Sequence, residues 1–177
     1  FGFLALLFAT TFNTLQAKIW RVNNGTGVVA DFTTVQAAHN AAAAGDTIHL
    51  EPSLNDYGNL TMTKRLTIIS TGSFSTSNPN LQSDPKHALV GNVNISNTGA
   101  NGSVLSVRFN NGFNISSGVS NISLVNCVAD GADDNANCCG RPYVDINNAD
   151  NIIVSKSFVG SLRFTNNSNN IVVNNSI

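Results

Sequence analysis

Apart from one stretch near its start, the chain reads as short alternating strands. Asp31 to Ala44 carries Phe32, Val35, Ala38 and Ala42 at helical spacing; Asp31 or Thr33 can cap the start and Gly45 ends it, which predicts one short helix. Thr47-Ile48-His49-Leu50 then alternates with period two, and Pro52 breaks it. After a loop through Asn55 and Gly58 come Leu60-Thr61-Met62 and Leu66-Thr67-Ile68-Ile69. From there to the end, short strands are separated by Asn, Gly and Ser.

These strands recur in register. Ile122, Ile152 and Ile171 each follow an Asn (Asn121, Asn151 and Asn170) and open the similar strands Ile-Ser-Leu-Val, Ile-Ile-Val-Ser and Ile-Val-Val-Asn, 30 and 19 residues apart. Phe113, Tyr143 and Leu162 repeat the same two steps, and Val93-Asn94-Ile95 lies 20 residues before Phe113-Asn114-Ile115. Two columns sharing a period near 20, with several strands per period, are the signature of a β-solenoid. Each coil would bury a few apolar side chains and bond to the next through parallel strands about 4.8 Å apart. The corners need left-handed backbone, which Asn and Gly tolerate best. The expectation is an inward column of Ile122, Ile152 and Ile171, and a second of Phe113, Leu162 and one of Tyr143 and Val144. Asn121, Asn151 and Asn170 should occupy equivalent corners, with amides bonded along the axis to buried partners.

Composition agrees and removes other classes. Asp, Glu, Lys and Arg make up only 11% of the chain, and Asn, Ser and Thr (28, 18 and 14 residues) supply the polarity instead. Like residues stacked one above another penalise charge, so such faces favour uncharged polar side chains. A net charge of −1 gives no electrostatic footprint for nucleic acid. Nine scattered basic residues build no polybasic membrane patch, and charge is too sparse for a coiled coil. With 42% hydrophobic residues, wholesale disorder is excluded.

The apolar run Phe1 to Phe12 is too short to span a bilayer and is followed by Thr14-Leu15-Gln16-Ala17. It reads as the core and cleavage region of a secretory signal peptide ending at Ala17, with a buried first strand or helix as the alternative. The organisation expected is a partial signal peptide at 1–17 and a β-helix domain at 18–177, truncated at both ends. That places the protein outside the cell or on its surface, with no membrane span after cleavage.

Phe32-Thr33-Thr34-Val35-Gln36-Ala37-Ala38, then Ala44-Gly45-Asp46-Thr47-Ile48-His49-Leu50, then Leu66-Thr67-Ile68-Ile69, resembles the cap and first coils of the pectate-lyase-like superfamily. The Asn-rich texture is most similar to secreted members from Bacteroidetes-type bacteria. The resemblance implies an all-β fold, a right-handed parallel β-helix (β-solenoid) with a short N-terminal capping helix. It is specific for fold and weak for activity, because lyases, hydrolases, esterases and adhesins share this opening.

Candidate chemistry concentrates between Cys127 and Tyr143, where the longer coil exceeds its neighbour by 11 residues. Insertions on a rigid stack are where binding loops are grafted. Asp130, Asp133, Asp134, Arg141 and Asp145 form the candidate substrate-contact loop. No metal or other cofactor is expected; if there is one, it is Ca²⁺ held by Asp130, Asp133 and Asp134. The resemblance implies that such a Ca²⁺ would orient a uronate, with Arg141 as the nearest base. Alternatively, an Asp pair would serve glycoside hydrolysis as acid and base. An ordinary solvated turn loop is the plainest reading. Gly140-Arg141-Pro142-Tyr143 is similar to a pectin methylesterase motif, but the accompanying Gln motifs and catalytic Asp are absent. In an exported protein Cys127 would bond Cys138 or Cys139, and the third thiol would be left over; a vicinal Cys138–Cys139 bond is the alternative. His39, His49 and His87 read as surface or packing residues.

Two functions remain open at this level. One is a non-catalytic adhesion or carbohydrate-binding segment whose partner is a polysaccharide or cell-surface glycan. The other is the N-terminal half of a polysaccharide lyase or glycoside hydrolase acting on acidic polysaccharide.

Overall fold

A computed structural model of the chain describes residues 16–70, 88–129, 143–157 and 159–176. These residues form short strands in three sheets whose pairings are all parallel. The seven-stranded sheet runs β1 (Ile19–Val22), β2 (Thr47–Leu50), β4 (Thr67–Ser70), β7 (Val104–Ser106), β10 (Ser120–Val125), β13 (Asp150–Ser155) and β15 (Asn169–Asn174). The five-stranded sheet runs β3 (Leu60–Met62), β6 (Val93–Ile95), β9 (Phe113–Ile115), β12 (Tyr143–Asn147) and β14 (Ser161–Thr165). A three-stranded sheet holds β5 (Leu89–Val90), β8 (Arg108–Phe109) and β11 (Val128–Ala129). From β4 to β13 the successive described strands fall in the large sheet, the small one and the five-stranded one in turn.

Alternation sends every second residue of these strands inward. Ile48, Ile68, Leu105, Leu124 and Val154 are register partners in turn, and all are wholly buried. Ile122, Ile152 and Ile171 pair as expected, the first two wholly buried and the last partly so. In the five-stranded sheet Leu60, Val93, Phe113, Val144 and Leu162 form one column. Val144 is therefore the inward member of its pair, and Tyr143 points to the other face of the sheet. Phe109 and Phe113 meet edge to face at 5.4 Å and join the small sheet to the five-stranded one.

Left-handed backbone marks the bends. Asn121, Asn151 and Asn170 have φ of 58°, 55° and 53°, and Asn126, Lys156 and Asn175 have 56°, 51° and 46°. Asn accepts this conformation more readily than other residues with a Cβ. Asn151 Nδ2 donates to Asn121 Oδ1 at 3.2 Å along the stack. These corner amides are exposed, which corrects the buried partners expected for them.

The helix is shorter than its pattern suggested. It spans Val35–Ala41 as α1, and Thr34, not Asp31 or Thr33, caps it by accepting from Ala37 N. The residues before it are used otherwise: Phe32 bridges to Val22, and Asp31 accepts from Arg21 N. Its last carbonyls are closed by Lys64 Nζ, which donates to His39, Asn40 and Ala42 at 2.9–3.0 Å. His39 is buried against this seam, its Nε2 accepting from Thr63 N at 3.1 Å. Asp46 ties β1 down: its carboxylate accepts from Lys18 N, Trp20 Nε1 and Ala43 N at 2.8–2.9 Å. Among the described residues, no helix is long and apolar enough to cross a membrane.

Candidate functional site

The rule that buries one residue of a strand exposes the next. In the five-stranded sheet the residues between the inward columns are Thr61, Asn94, Asn114, Asp145 and Arg163, register partners across all five strands. Neighbouring members stand one strand spacing apart, about 4.8 Å. The row is polar throughout, and its last three members place an amide, a carboxylate and a guanidinium side by side.

Two contacts organise its charged end. Thr165 Oγ1 donates to Asp145 Oδ1 at 3.3 Å. The Arg163 guanidinium lies 5.3 Å from the centre of the Tyr143 ring. Tyr143 finds room because residue 112 is Gly: a Cβ there would stand 3.3 Å from the phenol. The sheet thus presents a half-buried aromatic ring beside planar hydrogen-bonding groups.

Of the residues singled out from sequence, Asp145 takes part in this row. Asp130, Asp133, Asp134, Arg141, Cys138, Cys139 and His87 lie outside the described residues, as do the first 15 residues. Among the described residues no cluster of three or more His, Cys, Asp or Glu side chains is placed to hold a metal ion.

Cys127 is the one candidate cysteine among the described residues. It is a free thiol, wholly buried, with Sγ donating to Leu105 O at 3.3 Å and its backbone N–H donating to Ser157 Oγ. Burial pushes the thiol up to about 12, so it stays protonated and unreactive in the folded chain. The side chain fills a core position.

A larger cleft, about 630 Å³, opens near the first strands between Asn23, Val28, His49, Glu51 and Leu54. Its polar groups already serve one another. Glu51 accepts from Arg21 Nε at 2.6 Å and from Asn23 Nδ2 at 2.9 Å, and the bond from Arg21 holds its carboxyl below the usual range. Asn24 donates to Asp56 O and accepts from Ser53. These bonds join the loop after β1 to the loop after β2, which is a structural duty.

Sequence reasoning missed Arg163, Asn94, Asn114 and the outward role of Tyr143. The signal was present: once Val93, Phe113, Val144 and Leu162 are inward, each following residue must face out. Comparison with protein-family models, with curated proteins and with solved structures finds no match for this chain.

Proposed function

We propose that this chain is a segment of an exported right-handed parallel β-helix of the pectate-lyase-like type, and that it binds polysaccharide without transforming it. The rotation of the chain among three parallel sheets, the matched inward columns and the helix at the first strands support the architecture. Parallel crossovers are right-handed in nearly all proteins. The apolar opening run and the uncharged Asn/Ser/Thr faces support a place outside the cell or on its surface.

The binding half rests on one observation: the outward row of Asn94, Asn114, Asp145 and Arg163 with the Tyr143 ring beside it. A glycan array probed with the purified chain tests it. The expected result is binding to a polysaccharide that weakens about tenfold in Arg163→Ala and in Tyr143→Ala, at unchanged thermal midpoint. No binding by the parent chain to any glycan overturns the proposal.

The pairing of Asp145 with Arg163 on adjacent strands favours the second reading, a lyase on acidic polysaccharide. A carboxylate and a cation so placed could orient a uronate and accept its proton. Release of unsaturated uronate, followed by absorbance with Ca²⁺ and with chelator, separates the two. Product formation that disappears in Arg163→Ala would replace binding with catalysis.

A further inference from the structure

The seven-stranded sheet has an outer face of its own, and it differs from the row just described. Register partners Thr47, Thr67, Val104, Ser123, Ile153 and Val172 line up across it without a charged group. Beside the last three strands lie the left-handed corners Asn121, Asn151 and Asn170. Together Asn121, Ser123, Asn151, Ile153, Asn170 and Val172 enclose a shallow groove of about 270 Å³. Ile153 and Val172 in its lining remain 42% and 43% exposed.

We infer that this groove is a second glycan site, for an extended neutral chain of equatorially linked sugars such as a β-1,4-glucan, lying along the stacking direction. Three features select that ligand. First, the lining holds no ionisable side chain, so a uronate would be desolvated there with no cation to pair it. Second, the groove repeats once per strand, about 4.8 Å, close to the advance of one pyranose in an extended β-1,4 chain. Third, amides on one side and branched aliphatic groups on the other match the hydroxyl edge and the C–H face of a pyranose.

The amides are poised for this. Asn151 donates to Asn121, and Asn121 Nδ2 donates to Ser120 Oγ at 3.2 Å. Among the described residues, no further protein group bonds Asn151 Oδ1. Asn151 and Asn121 are already held by these bonds, so a ligand has less side-chain freedom to remove. The site takes its ligand class from the glycan-binding reading above, but it uses a different face and different residues.

Calorimetric titration with cellohexaose tests it, using the parent chain, Asn151→Gly, Ile153→Glu and Arg163→Ala. Gly keeps the φ of 55° while removing the amide, so Asn151→Gly is expected to fold with an unchanged thermal midpoint. Both groove variants should weaken binding of cellohexaose about tenfold or more, whereas a site on the five-stranded row would show the loss in Arg163→Ala instead. If Arg163→Ala alone abolishes binding, the groove is overturned and the five-stranded face is the site. If the groove variants alone abolish it and no glycan depends on Arg163, the groove stands and the row fails. No heat with the parent chain overturns the groove.

Discussion

The first and last strands treat the same columns in opposite ways. Near the first strands Ile48 and Ile68 are wholly buried, with β1 beyond β2 and Val35 and Ala38 of α1 joining the core. At the last strands Val173 and Phe164, which continue two inward columns, are 45% and 51% exposed. The residue types are equally apolar. What differs, among the described residues, is whether a further strand pairs on the far side. Burial here depends on which strands pair on either side and not on the side chain alone.

Side-chain truncations in the middle of the five-stranded sheet and on its last strand should therefore differ most. Phe113→Ala, in the middle of the stack, is expected to cost about 3–5 kcal/mol in urea unfolding. Phe164→Ala, from the same sheet, should cost less than about 1 kcal/mol. Equal losses would break the comparison, because they would mean that something covers the last strands in solution.

Asp46 sharpens the other side of the comparison. Asp46→Ala leaves Lys18 N, Trp20 Nε1 and Ala43 N without their acceptor and should cost about 2–3 kcal/mol. The lone Trp of the chain, Trp20, reports the loss directly by a fluorescence shift as β1 detaches. Burial alone would raise this carboxyl, yet the bonds from Lys18, Trp20 and Ala43 outweigh it and hold the carboxyl below its usual range. The stability it contributes is therefore complete above the unfolded value, near pH 4, and is lost as pH falls through the depressed folded value. An acid limb unchanged in Asp46→Asn would locate that loss elsewhere.

The smallest effect has the opposite sign. Lys156 holds a left-handed φ of 51° at the corner where the equivalent positions are Asn126 and Asn175. Lys156→Asn should raise stability by about 0.5–1 kcal/mol in the same urea assay. No gain would show that backbone strain at this corner is relieved by other means.

Much of this was legible from spacing alone. Ile122, Ile152 and Ile171 share a period that the parallel register of β10, β13 and β15 matches, and Asn121, Asn151 and Asn170 announced corners. Ambiguity entered where neighbouring residues could exchange roles. Thr33 and Thr34 are chemically identical caps, and only the bridge from Phe32 to Val22 decides between them. Tyr143 and Val144 both suit a core, and a one-residue slip exchanges the inward and outward sets. The candidate site was hidden for the same reason: Asn94, Asn114 and Arg163 look like ordinary surface residues until register aligns them with Asp145.

Cys127 gives this molecule an internal clock. A thiol wholly enclosed by the stack, bonded to Leu105 and lifted far from its reactive form, can meet an alkylating reagent only when the layers around it open. In a variant carrying it as the sole cysteine, the labelling rate would count those openings, as amide exchange does for the backbone.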